Sequence, residues 1–202
     1  MREGGIGRVL VASLHQGIAD LVPSRLEFYE NWFNPTGLRD GSIGLAPLTA
    51  VLSFLRREGG AYGIVTDRAG RYAADWTVDA LPSFRRALIR RMPAAIRLRL
   101  ALGVVRDMVK ASYAGSRAIV RVRRSAASID IRSSIFCGVR EPAPAALCGF
   151  YASAATRVLE LLHVIASVEV VQCRATGQAG CLLLVKTGES PAQASEGSSN
   201  PA

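Results

Sequence analysis

The apolar residues of this chain change period once, and that switch limits the fold more than any motif does. Up to about residue 113 they recur at helical spacing. Val9, Leu10, Leu14, Ile18 and Leu21 run up to Pro23, and Leu45, Val51, Leu52, Phe54 and Leu55 run up to Gly59-Gly60. Residues 61–78 carry Tyr62, Val65, Ala69, Tyr72 and Trp76 along one side of a further helix. Asn34-Pro35-Thr36-Gly37 is a turn signal behind the aromatic segment Phe28, Tyr29, Trp32, Phe33. Pro82 and Pro93 can each open a helix, because a missing N–H costs nothing in the first turn. The helix opened by Pro93 runs to about Tyr113 with Ile96, Leu100, Val104 and Met108 as its core-facing stripe. Arg97, Arg99, Arg106 and Lys110 occupy its other faces and read as a solvated cationic surface.

From Gly115 the pattern alternates. Ile119, Val120 and Val122, then Ile129 and Ile131 with Asp130 and Arg132 interleaved, predict a hairpin that turns near Ser125 and Ala126. A loop holding Pro142 and Pro144 leads into a helix over residues 145–165. Strands over 168–174 and 181–185 follow, joined by a turn at 176–180. Helices first and strands afterwards predict an α+β fold with helices packed on an antiparallel sheet of about four strands. Residues 1–111 then form the helical half of a single domain and residues 112–187 its sheet and helix region. The Ser-, Glu-, Ala- and Pro-rich tail, 188–202, is expected to be disordered.

Half of the 202 residues are apolar, enough to bury a core without a disulfide framework. A net charge of +9 invites a phosphate or membrane partner, yet only Lys110 and Lys186 are lysines, and no helix-turn-helix motif supports direct nucleic-acid binding. The most apolar long stretch, residues 145–168, contains Arg157, Glu160 and His163, which argues against a transmembrane segment. Without a leader-like segment the expectation is a cytoplasmic chain whose thiols are reduced or metal-bound.

Four cysteines, Cys137, Cys148, Cys173 and Cys181, all lie in the C-terminal half. Cys173 and Cys181 flank a glycine-bearing turn and could present two thiolates to one ion, with Cys148 as a third ligand. The nearby acid is Glu169. On a regular strand it shares a face with Cys173 but stands about 13 Å away, so only a bulge would bring it in. Cys137 is the alternative fourth ligand. Four small apolar core residues are the competing reading.

The stretches Tyr113-Ala114-Gly115-Ser116, Ser134-Ile135-Phe136-Cys137, Leu147-Cys148-Gly149-Phe150-Tyr151, and Glu169 through Cys173-Arg174-Ala175 and Gly177 to Cys181 together resemble a 4-vinyl reductase domain. They are most similar to the branch named for bacteriochlorophyll synthesis. The resemblance covers about the last 75 residues before the tail. It implies a fold akin to trafficking-complex (TRAPP) subunits and more distantly to haem nitric-oxide-binding domains. It also implies a small, mostly apolar or aromatic ligand, and a structural zinc held by three cysteines and an acid. The motif places those cysteines at Cys148, Cys173 and Cys181. The acid usually stands where this chain has Val170, which leaves Glu169 one residue early.

No strand leading into G-x-G-x-x-G supplies a dinucleotide site, so the reductase name of the family finds no cofactor motif here. Among imidazoles, His15 could ligate a tetrapyrrole metal from a helix but reads as a surface or core residue. His163, inside an apolar helical run, reads as a core or edge residue. The function expected is therefore non-enzymatic binding or delivery of a hydrophobic molecule, for which a chlorophyll-pathway tetrapyrrole is the leading candidate. A protein-interaction subunit and a small-molecule sensor are the alternatives, and a homodimer or a protein partner stays open. The ligand would occupy an apolar cavity between the helices and the sheet, with one or two arginines at its mouth.

Overall fold

The computed structural model of the protein describes residues 5–33, 44–123, 126–139 and 141–188. The turn expected at 34–37, the side chains of Trp32 and Phe33, and the tail from residue 189 lie outside them. Seven α-helices occur among the described residues: α1 (Arg8–Leu21), α2 (Leu26–Phe33), α3 (Leu45–Arg57), α4 (Ala61–Asp79), α5 (Ser83–Arg91), α6 (Ala94–Ser112) and α7 (Gly149–Leu161). Four strands, β1 (Arg117–Val122), β2 (Ala126–Arg132), β3 (Ala166–Gln172) and β4 (Cys181–Thr187), form one antiparallel sheet in the order β1-β2-β4-β3. The α+β architecture expected from the change of period is the one observed. α7 is the crossover that carries the chain from β2 to β3 on the far side of β4.

The sheet has one covered face. Ala127, Ile129 and Ile131 on β2 and Cys181, Leu183 and Val185 on β4 are buried, while the residues alternating with them are half-buried or exposed. Period-two alternation is what a sheet packed on one side requires. On β3 the inward residues are Ala166, Val168 and Val170, after which a register shift between Val170 and Gln172 inserts one residue. An extra residue reverses the facing of everything beyond it. Cys173 therefore points into the core although it lies four residues after the outward-facing Glu169.

Helices α4 and α7 form the tightest contact of the helical layer. Gly70 of α4 lies against Phe150, Ser153 and Ala154 of α7, and all four are buried. A methyl group at Gly70 would run into Ser153 Oγ and the Phe150 carbonyl, so this helix spacing needs glycine there. Ser153 Oγ donates to the Asp67 carbonyl at 2.8 Å, and Arg157 reaches Asp75 at 2.8 Å along the same seam.

Two helix readings change in three dimensions. In α6 the buried residues are Leu98, Ala101, Leu102, Val104, Val105, Met108 and Val109, whereas Ile96 and Leu100 are 46% and 40% exposed. Apolar residues lie on more than one side of this helix, and packing against α1, α4, α7 and β1 selects the Leu98–Leu102–Val105–Val109 side. α7 begins at Gly149 and ends at Leu161, shorter than the stretch 145–165. His163 is consequently an exposed residue beyond the helix, not a core one, with φ of 59°. His163 N–H bonds the Glu160 carbonyl and Val164 N–H the Leu159 carbonyl, the left-handed helix stop that usually takes glycine.

Candidate metal centre and ligand cleft

The four cysteines converge from four separate pieces of chain. Cys137 ends the 3-10 turn Ile135–Cys137 after β2, Cys148 is the N-cap of α7, Cys173 follows β3, and Cys181 opens β4. None is more than 5% exposed. Cys137 Sγ lies 3.0 Å from Cys148 Sγ, 3.4 Å from Cys173 Sγ and 3.5 Å from Cys181 Sγ, and Cys148 Sγ lies 3.6 Å from Cys173 Sγ. All four sulfurs fall within 4.8 Å of one another. Four thiolates about 2.3 Å from one tetrahedral ion stand about 3.8 Å apart, so shifts of less than about 1 Å fit this group to a metal.

The surroundings suit thiolates. Leu147 N–H donates to Cys173 Sγ and Arg174 N–H to Cys181 Sγ, each at 3.4 Å. Hydrogen bonds from Cys137 and Cys148 hold the Cys181 thiol well below its ordinary pKa, while bonds to Cys137 and Cys181, together with burial, drive Cys148 far above its own. Crowded thiols that share protons in this way release them to a soft cation.

The helical layer holds the cysteine loops in place. Arg56 of α3 donates to the Phe136 carbonyl at 3.1 Å, beside Cys137, and the Tyr62 hydroxyl of α4 donates to the Leu147 carbonyl at 2.9 Å, beside Cys148. Phe136 stacks on Phe150 with ring centroids 4.7 Å apart, and Tyr151 meets Phe136 edge-on at 5.3 Å. Each such aromatic pair adds about 0.5–1.5 kcal/mol beyond area burial.

Of the expected ligand set, the structure brings together Cys148, Cys173 and Cys181 but not Glu169. That carboxylate is on the outer face of the sheet, 53% exposed, with Lys186 Nζ 2.9 Å away. The bulge that would have been needed to recruit Glu169 is present, and it turns Cys173 away from it. Cys137 stands in the fourth position instead. His15, on α1, is half-buried.

A separate apolar cleft of about 280 Å³ opens among α1, α4, α5 and α6. Leu10, Trp76, Leu81, Val104 and Met108 line it, with Arg85 and Asp107 among its polar groups. Trp76 stacks on Tyr72 at 5.7 Å. The cavity was expected between the helices and the sheet; this cleft carries an arginine, but its walls are helical and no strand residue lines it. Trp76 and Met108 were legible as apolar periodic residues. Leu10 was legible in the same way, but Leu81 carried no signal, and the pairing of α1 with the α4–α5 corner joins residues about 70 positions apart.

No protein-family model matches this chain, and no curated protein matches it in sequence. Solved structures do. The phenol-responsive sensory domain of the transcription activator PoxR, crystallised with phenol, superposes with a TM-score of 0.52 at 16% identity over 71% of this chain and 74% of that one. The H-NOX domain of Shewanella oneidensis in its Fe(II)CO ligation state gives 0.53 at 11% identity over 92% and 99%. This chain has their fold. At such low identity the likeness extends to the α+β architecture, and the chemistry of the site has to be argued from the residues present.

Among the described residues no helix is long and apolar enough to cross a membrane.

Proposed function

We propose that this protein is a small-molecule-binding module of the sensory type, built around a structural zinc centre. The observation that carries the ligand reading is the Trp76-lined apolar cleft, in a fold otherwise seen in a phenol-responsive sensory domain and an H-NOX domain. Small-molecule sites usually run from about 300 to 1,000 Å³, and about 280 Å³ suits one or two fused rings. A tetrapyrrole macrocycle needs the upper part of that range. This volume favours a compact aromatic or alicyclic effector over the tetrapyrrole cargo, with Arg85 and Asp107 available to a hydroxyl or carboxylate on the ligand. Residues 112–187 are proposed as a 4-vinyl-reductase-type region on the strength of their motifs, with its zinc carried by Cys137, Cys148, Cys173 and Cys181.

The ligand reading is tested by titrating purified protein with phenols, naphthalenes and porphyrins while following tryptophan fluorescence and melting temperature. Saturable binding of mono- or bicyclic compounds, lost when Met108→Trp fills the cleft, is the expected result. Binding of porphyrins alone, or binding untouched by Met108→Trp, would remove the cleft from the argument. The metal bound by such a centre supplies folding energy and no chemistry of its own, because four protein ligands leave no open position.

A further inference from the structure

Eight basic residues and a single acid, Asp107, lie between positions 83 and 110, so this segment holds seven of the nine net positive charges of the chain. It comprises α5, the exposed corner at Pro93, and most of α6. Each helix also projects an apolar pair into solvent: Phe84 and Leu88 on α5, 73% and 51% exposed, and Ile96 and Leu100 on α6. Their i, i+4 spacing puts each pair on one ridge, opposite the buried Ile89 on α5 and the buried Leu98 and Leu102 on α6.

The basic side chains divide by task. Arg90 donates to the Leu161 carbonyl at 2.9 and 3.1 Å, and Arg97 to the Arg90 carbonyl at 3.2 Å, which pins the two helices to each other and to the end of α7. Arg86 bonds Asp79. Arg85, Arg91, Arg99 and Lys110 are exposed, and their side chains make no ion pair or hydrogen bond with the described residues. Arg91 follows Phe84 and Leu88 on the same ridge of α5, and Arg99 and Lys110 flank the ridge of α6.

We infer that α5 and α6 dock this protein on an anionic phospholipid surface, with Phe84, Leu88, Ile96 and Leu100 entering the headgroup layer and Arg91, Arg99 and Lys110 meeting lipid phosphates. Protruding apolar ridges interleaved with long cationic side chains are the arrangement of helices that lie in a membrane interface, where the stems run beside the apolar residues and the charged heads stay at phosphate depth. A nucleic-acid partner would use the charges and leave four large apolar side chains in water. Attachment of this kind is peripheral.

The test is co-sedimentation of the full chain with phosphatidylcholine vesicles, with and without phosphatidylglycerol. Binding only to the anionic vesicles, weakening as salt is raised, is expected. Replacing Arg91 and Arg99 by Gln should weaken it by about twenty-five-fold, since each basic residue at an anionic surface is worth about fivefold. Phe84→Ser with Leu88→Ser should weaken it by about tenfold or more at unchanged charge. All four positions are exposed, and an unaltered circular dichroism spectrum and metal content confirm that the fold is retained. The proposal is overturned by failure to bind anionic vesicles at low salt. It is equally overturned by insensitivity to the Phe84/Leu88 pair, which would mark a surface for any polyanion. A dimer in light scattering that this pair converts to monomer would assign the ridge to self-association and refute it as well.

Discussion

Replacing Gly70 by Ala sets two energetic effects of opposite sign against each other. In an exposed helix interior the change would stabilise by about 1 kcal/mol, through helix propensity and a less flexible unfolded chain. At this position the new methyl meets Ser153 Oγ and the Phe150 carbonyl of α7. Overpacking of a tight core contact costs about 1–3 kcal/mol, with the upper end applying where backbone is in the way. Pushing Ser153 aside also breaks its bond to the Asp67 carbonyl, worth about 1 kcal/mol. The balance is a net loss of about 1–3 kcal/mol, read as a lower urea midpoint with an unchanged slope. Adding Ser153→Ala should return part of the loss and no more, because the Phe150 carbonyl stays where it is. Phe150 stacks on Phe136 next to Cys137, and Cys148 caps the same helix, so Gly70→Ala should also loosen metal binding. A Gly70→Ala protein as stable as the parent, or more stable, would refute the close-contact reasoning and leave propensity in charge.

Elemental analysis of protein purified without a metal-binding tag should give about one zinc per chain, and Cys137→Ser or Cys173→Ser should lower both metal content and melting temperature. Glu169→Gln should leave the metal in place, since that carboxylate pairs with Lys186; a loss of zinc in this variant would restore the acid ligand. The Tyr72 hydroxyl, with Gln16 and Arg68, lowers the pKa of Asp20 below the ordinary carboxylate value. A depressed folded-state pKa means the network stabilises fully above the unfolded value and loses that contribution as pH falls through the folded one. Tyr72→Phe should therefore move the Asp20 titration, followed by carbon NMR, upward toward 3.8, and an unmoved curve would refute the assignment. His163→Gly should stabilise by about 1 kcal/mol, because the left-handed helix stop places a Cβ where glycine fits without strain. A lower melting temperature would show that the imidazole makes a compensating contact.

How far the sequence was legible varies between elements for physical reasons. Strand β4 alternates over its whole length, and its observed burial follows that alternation residue by residue. β3 looked equally regular, and nothing in Val168–Gln172 announced the inserted residue that turns Cys173 inward while Glu169 stays on the outer face. In α6 the choice between Ile96–Leu100 and Leu98–Leu102 as the inner side lies with the neighbours, since both sets satisfy helical spacing.

The helical half, the antiparallel four-stranded sheet and the candidacy of the cysteines follow from the chain alone, because periodicity and residue type act over a few residues. Three features needed the tertiary structure: Cys137 beside the other three sulfurs, an apolar cleft walled by helices, and the apolar ridges left uncovered on α5 and α6. Each depends on contacts between distant segments. A sequence records which faces can be buried, and packing decides which of them are.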